Sequence, residues 1–289
     1  MSSIINAISV DIEDWFQVGA FETTISKADW DSLSPRVERN TDAVLALFAE
    51  SGVKGTFFTL GWVAERFPAL IRRIVDAGHE LASHGYNHQR VFTFTPDQFR
   101  ADLKKSRDLL EQAGGVKVNG YRAPSFSIDA RTPWAHAILV EEGYRYSSSV
   151  APVVHDHYGW PQAPRFAFRP LADSGLTELP VTTARLGGRT LAAGGGGFFR
   201  LLPYAFSRWA VRQVNGQDKR PAILYFHPWE IDPDQPRVAG APLKSRLRHY
   251  TNLGVMAPKL RRLIADFEWG RVDALVEAQA KDAPCWPVQ

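Results

Sequence analysis

Two histidines four residues apart, His84 and His88, are the residues whose types and spacing most directly indicate chemistry. They follow a short strand-like run, so a loop after that strand can turn both imidazoles toward one point. Two neutral imidazoles are half of a divalent metal site, and a carboxylate with open positions completes a catalytic one. Carboxylates stand at the end of the first strand-like segment, where the chain has Asp11, Glu13 and Asp14. Together the two segments predict a catalytic metal site.

Two further residues extend this set toward hydrolysis. Arg122 ends a strand-like stretch and could hold Asp11 ionised through a bidentate pair. His227 follows a strongly apolar strand-like run and could protonate a leaving amine. A metal, a general base, its arginine and a general acid are sufficient for metal-assisted hydrolysis of an amide or ester. Each of these residues also has a purely structural interpretation. The acids could be ordinary loop residues, Arg122 could only fix a loop in place, and His227 could be a core histidine hydrogen-bonded to the backbone.

The elements that must position these residues alternate along the first half of the chain. Strands are predicted at 7–11, 55–60, 79–83 and 118–122, and helices at 35–51, 62–77, 95–113 and 132–143. This alternation indicates repeated β-α units and a parallel sheet, either open or closed as a barrel. Ligand sites in such folds lie at the C-terminal ends of strands. Asp11, His84, Arg122 and His227 all stand at or just after a predicted strand end.

The second half of the chain is less regular. Residues 152–197 are rich in proline and glycine and predict loops, with 176–181 as the best strand. The four glycines at 194–197 predict a flexible or tight loop, and no Lys-Ser/Thr pair follows them to make a phosphate-binding loop. A helix is predicted at 203–215, a strand at 222–226 and mostly helix at 243–269. We find no internal repeat or clear linker, so residues 1–289 are predicted to form one domain.

Composition and charge exclude several classes of protein. The 289 residues are 45% hydrophobic and 22% charged with a net charge of +3, which is typical of a globular domain without a nucleic-acid footprint. Cys285 is the single cysteine, so an internal disulfide is excluded. The N-terminus lacks the basic region of a secretory signal, and no apolar run approaches the ~20 residues of a membrane span. We therefore expect a cytoplasmic protein, with peripheral membrane contact at most.

These motifs resemble carbohydrate esterase family four, the polysaccharide deacetylases with NodB homology. The resemblance covers about residues 7–230, and the remainder, 231–289, resembles the C-terminal extension of the subgroup associated with exosortase and exopolysaccharide gene clusters. It implies a distorted (β/α) barrel and a zinc or similar divalent ion held by Asp-His-His. It also implies a reaction that removes acetyl groups from N-acetylhexosamine.

The first two motifs of that family carry over onto the acids and the histidine pair. Asp11 matches the catalytic base. The metal carboxylate is open between Glu13, which would share the face of Asp11 if the strand continued, and Asp14, which keeps the expected residue type. His84 and His88 match the two histidine ligands.

The later motifs carry over onto Arg122, Pro124 and His227. Arg122-Ala123-Pro124 matches the motif whose arginine orients the base and whose loop lines the groove. Leu224-Tyr225-Phe226-His227 matches the motif that ends in the acid, with one residue added. In the family, a further motif supplies an Asp that contacts this histidine and adjusts its acidity. Here Tyr146-Ser147-Ser148-Ser149-Val150 stands in its place. Asp156 and Asp173 are the candidates to replace the missing Asp.

The resemblance implies a function with stated alternatives. A backbone N–H near Tyr86 would stabilise the oxyanion, and Trp229 would line a sugar-sized groove. The expected activity is deacetylation of a polysaccharide or of its lipid-linked precursor, with Zn²⁺ as the metal and Co²⁺ or Ni²⁺ as substitutes. The alternatives are an allantoinase-like amidase of small molecules and a non-catalytic sugar-binding module on the same scaffold. The full set of Asp11, Arg122 and His227 favours catalysis, since a binding module needs no base or acid.

Overall fold

The computed structural model describes residues 4–155, 158–172 and 174–287. The strands are β1 (Asn6–Ile12), β2 (Thr56–Thr59), β3 (Glu80–Ser83), β4 (Gly120–Tyr121), β5 (Tyr146–Ser147), β6 (Thr177–Glu178), β7 (Thr183–Leu186), β8 (Arg189–Ala192), β9 (Ile223–Phe226) and β10 (Trp269–Gly270). The α-helices are α1 (Val37–Ser51), α2 (Gly61–Arg66), α3 (Pro68–Asp76), α4 (Pro96–Gly114), α5 (Ala135–Glu141), α6 (Gly196–Leu201), α7 (Tyr204–Gln213), α8 (Leu243–Tyr250), α9 (Met256–Asp266) and α10 (Val272–Gln279).

A parallel sheet forms the centre of the molecule. Its order is β10-β1-β2-β3-β4-β5-β6, with β9 also paired to β1, and each of these pairs is parallel. Loop contacts join β9 to the chain that follows β6, since Tyr225 N donates to Gly194 O (2.8 Å) and Ile223 N donates to Thr182 Oγ1 (2.5 Å). The sheet is therefore a distorted, incompletely closed (β/α) barrel, and the fold predicted from the sequence is confirmed.

The strand β1 lies at the heart of this barrel. All seven of its residues are buried, which suits a strand of a parallel sheet covered on both faces. Its outward-facing residues pack in a core cluster with Phe48 of α1, Phe57 of β2 and Leu260 of α9. The C-terminal end of β1 is consequently fixed in place for the acids that follow it.

The first half of the chain matches the predicted order of elements, with one correction. The single helix predicted at 62–77 is two helices, because Pro68 has no backbone N–H to continue α2 and instead starts α3. Phe67 between them leaves helical geometry, with φ −128° and ψ 53°. Thr95 begins α4 as predicted, in a capping box with Gln98.

The second half contains structure that the predicted loops at 152–197 omit. Strands β7 and β8 form an antiparallel hairpin whose two-residue turn is Gly187 and Gly188, both with positive φ. The glycine run that was predicted as a loop starts α6 at Gly196. A Cβ there would lie 2.1 Å from Oε1 of Glu230, so glycine is required for close approach.

The C-terminal region packs against the end of the barrel at which the strands begin. Strand β10 pairs with the start of β1, and α10 follows it. The backbone N–H of Val272 donates to Thr56 Oγ1 (2.7 Å), and that of Asp273 donates to Glu80 Oε2 (3.1 Å). Across the ranges 4–155, 158–172 and 174–287, no helix is both long and apolar enough to cross a bilayer.

Candidate active site

Three side chains that can bind metal converge where the strands end. Glu13 follows β1, and His84 and His88 lie in the loop after β3. One ligand atom from each residue lies within 4.8 Å of the other two. A carboxylate and two imidazoles with room for further ligands are a donor set that can hold a divalent metal ion in a catalytic site.

Neighbouring groups prepare the two histidines as ligands. Nδ1 of His84 donates to the carbonyl oxygen of Arg122 (2.8 Å), which leaves Nε2 free to bind an ion. Burial lowers the pKa of His84 to about 4, so its ring is neutral near pH 7. His88 has a φ of 56°, a conformation that is uncommon outside glycine and that clusters at functional positions.

Glu13 is held as a carboxylate with one unsatisfied oxygen. Burial alone would raise its pKa, but His88, His227 and His84 lower the pKa to about 2. Oε1 accepts a hydrogen bond from Nε1 of Trp229 (3.2 Å). Oε2 is buried and lacks a hydrogen-bond partner among the described residues, although Nε2 of His88 is 2.9 Å away. An ionised oxygen without a donor beside two imidazoles fits a divalent cation.

Asp14, the other predicted metal carboxylate, is occupied elsewhere. Its Oδ2 accepts from the backbone N–H groups of Arg36 (2.7 Å) and Val37 (3.0 Å), and its Oδ1 accepts from that of Trp15 (2.8 Å). The side chain thus binds the start of α1. The structure corrects the ligand set here, since it brings Glu13 to the two histidines and leaves Asp14 in a helix-capping position.

Asp11 and Arg122 form a buried ion pair beside this cluster. Nη1 of Arg122 donates to Oδ1 of Asp11 (2.6 Å) and to Oγ of Ser9 (2.8 Å). Its other nitrogens donate to the carbonyl oxygen (3.1 Å) and Oγ (3.0 Å) of Ser148. The predicted contact is present as one hydrogen bond rather than a bidentate pair. The serine run around Ser148, which replaces the motif expected to contact His227, therefore hydrogen-bonds Arg122 instead.

His227 is oriented by a residue that the sequence analysis did not single out. Its Nδ1 lies 2.8 Å from Oε1 of Glu230, and Oε2 of Glu230 accepts from Nε of Arg200 (2.5 Å). This leaves Nε2 of His227 facing the site, 3.5 Å from Oε1 of Glu13. Burial would lower the pKa of His227, but Glu13 and Glu230 raise it to about 9. The ring is therefore an imidazolium near pH 7.

The sequence does carry a local signal for Glu230. It stands three residues after His227 in a turn opened by Pro228, and it also accepts from the backbone N–H of His227 (3.2 Å). An acid three residues after the residue that caps a helical turn, here His227, has the spacing of a capping box. Glu230 thus occupies the role for which Asp156 and Asp173 were candidates, and those two lie outside the described residues.

The three predicted substrate-binding residues have different outcomes. Trp229 lines the cleft and stacks on His227, with ring centroids 5.0 Å apart. Pro124 opens the short turn whose Ser125 and Phe126 line the cleft, both with positive φ.

Tyr86 is the third, and its prediction requires correction. The oxyanion donor was expected near Tyr86, but the backbone N–H of Tyr86 itself donates to both carboxylate oxygens of Asp102 (3.3 and 3.2 Å). Its hydroxyl donates to Glu65 (2.7 Å), and the ammonium of Lys105 lies 3.4 Å from the centre of its ring. These contacts engage Tyr86 with α2 and α4.

One cleft of about 410 Å³ is lined by Asp11, Glu13, His84, His88 and His227. Its walls include four aromatic side chains: Phe126, Tyr158, Tyr225 and Trp229. Residues of α8, among them Ser245 and Arg248, also line it, so the C-terminal region contributes to the cleft as well as to the base of the barrel.

Comparison with known proteins divides the chain into two parts. Residues 29–147 match the family model described as polysaccharide deacetylase, and residues 148–277 match a family model described as a domain of unknown function, DUF3473. The first part holds His84, His88 and Arg122. The second holds His227 and Glu230, so the candidate site draws on both.

Among curated proteins, a peptidoglycan deacetylase of Helicobacter pylori is 33% identical over 107 residues, which cover 37% of this chain and 36% of that protein. A chitooligosaccharide deacetylase of Sinorhizobium fredii is 48% identical over 102 residues, which cover 34% of this chain and 47% of that protein. The chain therefore spans less than half the length of these relatives.

Two solved structures share the fold over nearly the whole chain. A provisionally assigned polysaccharide deacetylase from Mycobacterium smegmatis aligns with a TM-score of 0.63 and 20% identity, covering 100% of this chain and 98% of that one. PuuE allantoinase aligns with a TM-score of 0.59 and 15% identity, covering 95% and 89%. Residues 29–147 are therefore similar to the polysaccharide deacetylase family, and the fold of nearly the whole chain is that of these two structures.

Proposed function

We propose that this protein is a metal-dependent hydrolase that removes N-acetyl groups from N-acetylhexosamine units of a polysaccharide or of its lipid-linked precursor. The observation that carries the proposal is the convergence of the Glu13, His84 and His88 cluster with Asp11 and His227 in one cleft. We further propose that the ion is Zn²⁺, with Co²⁺ or Ni²⁺ as substitutes, and that the protein belongs to the exopolysaccharide-associated subgroup its sequence resembles.

A divalent ion at this cluster would act as a Lewis acid toward the acetyl group and would activate water. Asp11 is the residue placed to accept the proton of the attacking water, because its carboxylate lines the cleft. Arg122 keeps this carboxylate fixed through the hydrogen bond to Oδ1 and leaves Oδ2 free of that contact. Asp11 is consequently the proposed general base.

His227 is the residue placed to donate a proton to the departing amine. Its Nδ1 is taken by Glu230, so only Nε2 can deliver a proton into the cleft. Arg200 in turn fixes Glu230 from the other side, and both of those residues are buried. This chain of contacts holds the imidazole in one orientation, as a general acid requires.

The cleft suits a sugar substrate. Its aromatic walls offer flat faces on which pyranose rings can pack, and its volume of about 410 Å³ lies in the usual range for small-ligand sites. The names of the relatives, peptidoglycan deacetylase and chitooligosaccharide deacetylase, support an N-acetylated glycan as the substrate class.

One alternative function has a specific observation behind it. PuuE allantoinase aligns with a TM-score close to that of the Mycobacterium smegmatis protein, so the fold is equally compatible with an allantoinase-like amidase of small molecules. We rank this lower because the complete His84 and His88 pair and the aromatic cleft favour a metal-dependent reaction on a glycan.

The test is acetate release from N-acetylglucosamine oligomers by purified protein, after chelation and after reloading with zinc, cobalt or nickel. We expect no release from the stripped protein and restored release on reloading. Hydrolysis of allantoin by the reloaded protein, with no acetate from the oligomers, would favour the allantoinase-like alternative. No release from either substrate would favour the sugar-binding module.

A further inference from the structure

A second cavity of about 330 Å³ adjoins the active-site cleft. The two share part of their walls, namely Val18, Glu22, His88 and Arg90. Because His88 is one of the proposed metal ligands, the second cavity begins directly beside the metal cluster. Its other walls come mainly from the segment between β1 and α1, which the catalytic proposal does not use.

Three residues that line this cavity each carry a buried N–H group with no acceptor among the described residues. These groups are Nε2 of Gln17, Nε1 of Trp30 and Nε of Arg90. Gln17 and Trp30 are 2% and 4% exposed. Buried donors are almost always paired, so three unpaired donors around one space indicate a missing acceptor.

The orientation of the Gln17 amide follows from its hydrogen bond to the backbone. Its Oε1 accepts from the backbone N–H of Asp14 (2.8 Å), so the amide nitrogen is the end left without a partner. The indole of Trp30 can only donate. The missing group must therefore present several acceptor lone pairs, as a carboxylate or a phosphate does.

The charges around the cavity also favour an anion. Lys27 and Arg90 line it with a single carboxylate, Glu22, which pairs with Nη2 of Arg90 (2.7 Å). Lys27 has no carboxylate within ion-pair distance in the described part of the chain, and its Nζ donates to Asn87 Oδ1 (3.3 Å). Asp102 and Glu22 act on Lys27 only at longer range. The ammonium group of Lys27 thus has no carboxylate partner at ion-pair distance among the described residues.

We propose that this cavity is an oxyanion subsite, which binds a carboxylate or phosphate group carried by the substrate next to the residue that is deacetylated. The identity of the substrate as a glycan rests on the proposed function, whereas the binding of an oxyanion does not. Either a uronic acid in the polymer or the phosphate of a lipid-linked precursor would supply this group.

The test follows the indole N–H signals of the nine tryptophans by ¹⁵N NMR in the full-length, zinc-loaded protein. Trp30→Phe identifies the signal of Trp30, and Trp229 reports on the metal cleft. The probes are glucuronate and N-acetylglucosamine 1-phosphate, with neutral N-acetylglucosamine as the control. We expect at least one anionic probe to shift the Trp30 signal saturably and the neutral sugar to leave it unmoved.

Two variants test the residues themselves. Lys27→Met and Gln17→Glu should each raise the Kd of the anion at least tenfold, the second because it replaces a donor with a negative charge. Lys281→Met is the matched control, an exposed lysine outside both cavities, and should leave the Kd unchanged. Should Trp30→Phe fail to fold, calorimetric titration of the Lys27 and Gln17 variants supplies the same comparison.

The outcomes separate the subsite from the proposed function. A Trp30 signal that stays fixed while that of Trp229 moves would overturn the subsite, and so would an equal Kd for the neutral sugar. A wild-type Kd in both subsite variants would overturn it as well. A response at Trp30 in a protein that releases no acetate would support the subsite and count against the deacetylase proposal.

Discussion

Replacing Asp14 by alanine should destabilise the protein and leave its metal binding intact. The change removes the acceptor of three backbone hydrogen bonds at 2.7, 2.8 and 3.0 Å. Hydrogen bonds to a charged group contribute about 1.5 kcal/mol or more each. Burial raises the pKa of this carboxyl to about 6, and the cost of ionising it offsets part of the gain, about 3 kcal/mol.

Three such bonds less this offset leave a net loss in the free energy of unfolding of about 1.5 kcal/mol, which lowers Tm by about 3–6 °C. Thermal and urea unfolding measure the stability, and metal analysis after dialysis measures the stoichiometry. The matched variant is Glu13→Gln, which should lose the metal. Loss of metal at unchanged stability in Asp14→Ala, together with a full equivalent of metal in Glu13→Gln, would contradict the assignment of Glu13 as the metal carboxylate.

Three further predictions concern Arg122, Glu230 and Glu80. Arg122→Lys should lower kcat/KM for acetate release about 100-fold or more, because an ammonium cannot replace a planar guanidinium that binds Asp11 and three other acceptors. A loss in kcat/KM below tenfold in a folded variant would count against this role of Arg122. Glu230→Gln should lower kcat about 10- to 100-fold with little change in KM, since His227 loses its carboxylate partner. The same loss should move the alkaline limb of the pH profile of kcat to lower pH. An unmoved pH profile would leave Glu230 a purely structural role. Burial and then Asp273 raise the pKa of Glu80 to about 7, above its ordinary 4.5. The contribution of Glu80 to stability is therefore fully present below pH 4.5 and should fall by about 3 kcal/mol as pH rises from 4.5 through 7. Urea unfolding at pH 5 and pH 8 should show a smaller difference in Glu80→Gln than in the wild type, and equal differences would refute the assignment.

The positions of Asp11, His84, Arg122 and His227 could be predicted because each lies at or just after the end of a predicted strand. In a parallel sheet the C-terminal ends of the strands meet at one edge, so the order of elements was enough to bring these residues together. The structure places all four of them in or beside one cleft.

The choice between Glu13 and Asp14 depended on tertiary structure. Alternation along β1 favours Glu13 on the face of Asp11, but the residue type favours Asp14. The deciding contact is with the start of α1 at Arg36, 22 residues further along the chain. A sequence pattern cannot show which carboxylate a distant helix terminus will bind.

Glu230 illustrates a signal that is partly local. Its spacing from His227 is visible in the sequence, whereas its second partner, Arg200, lies 30 residues earlier on α6. The β7–β8 hairpin is a clearer omission, since two glycines between two short β-prone runs are a recognised hairpin signal.

The most direct test of the central claim compares Asp11→Asn with wild type in one preparation, with bound metal and acetate release measured side by side. We expect a full complement of metal and a loss of acetate release of about 1,000-fold or more, because the general base is removed while Glu13, His84 and His88 remain. Asp232→Asn is the matched control, since Asp232 is also buried and paired to an arginine, Arg36, but does not line the cleft. Retained metal with near wild-type release in Asp11→Asn would contradict the assignment of Asp11 as the base.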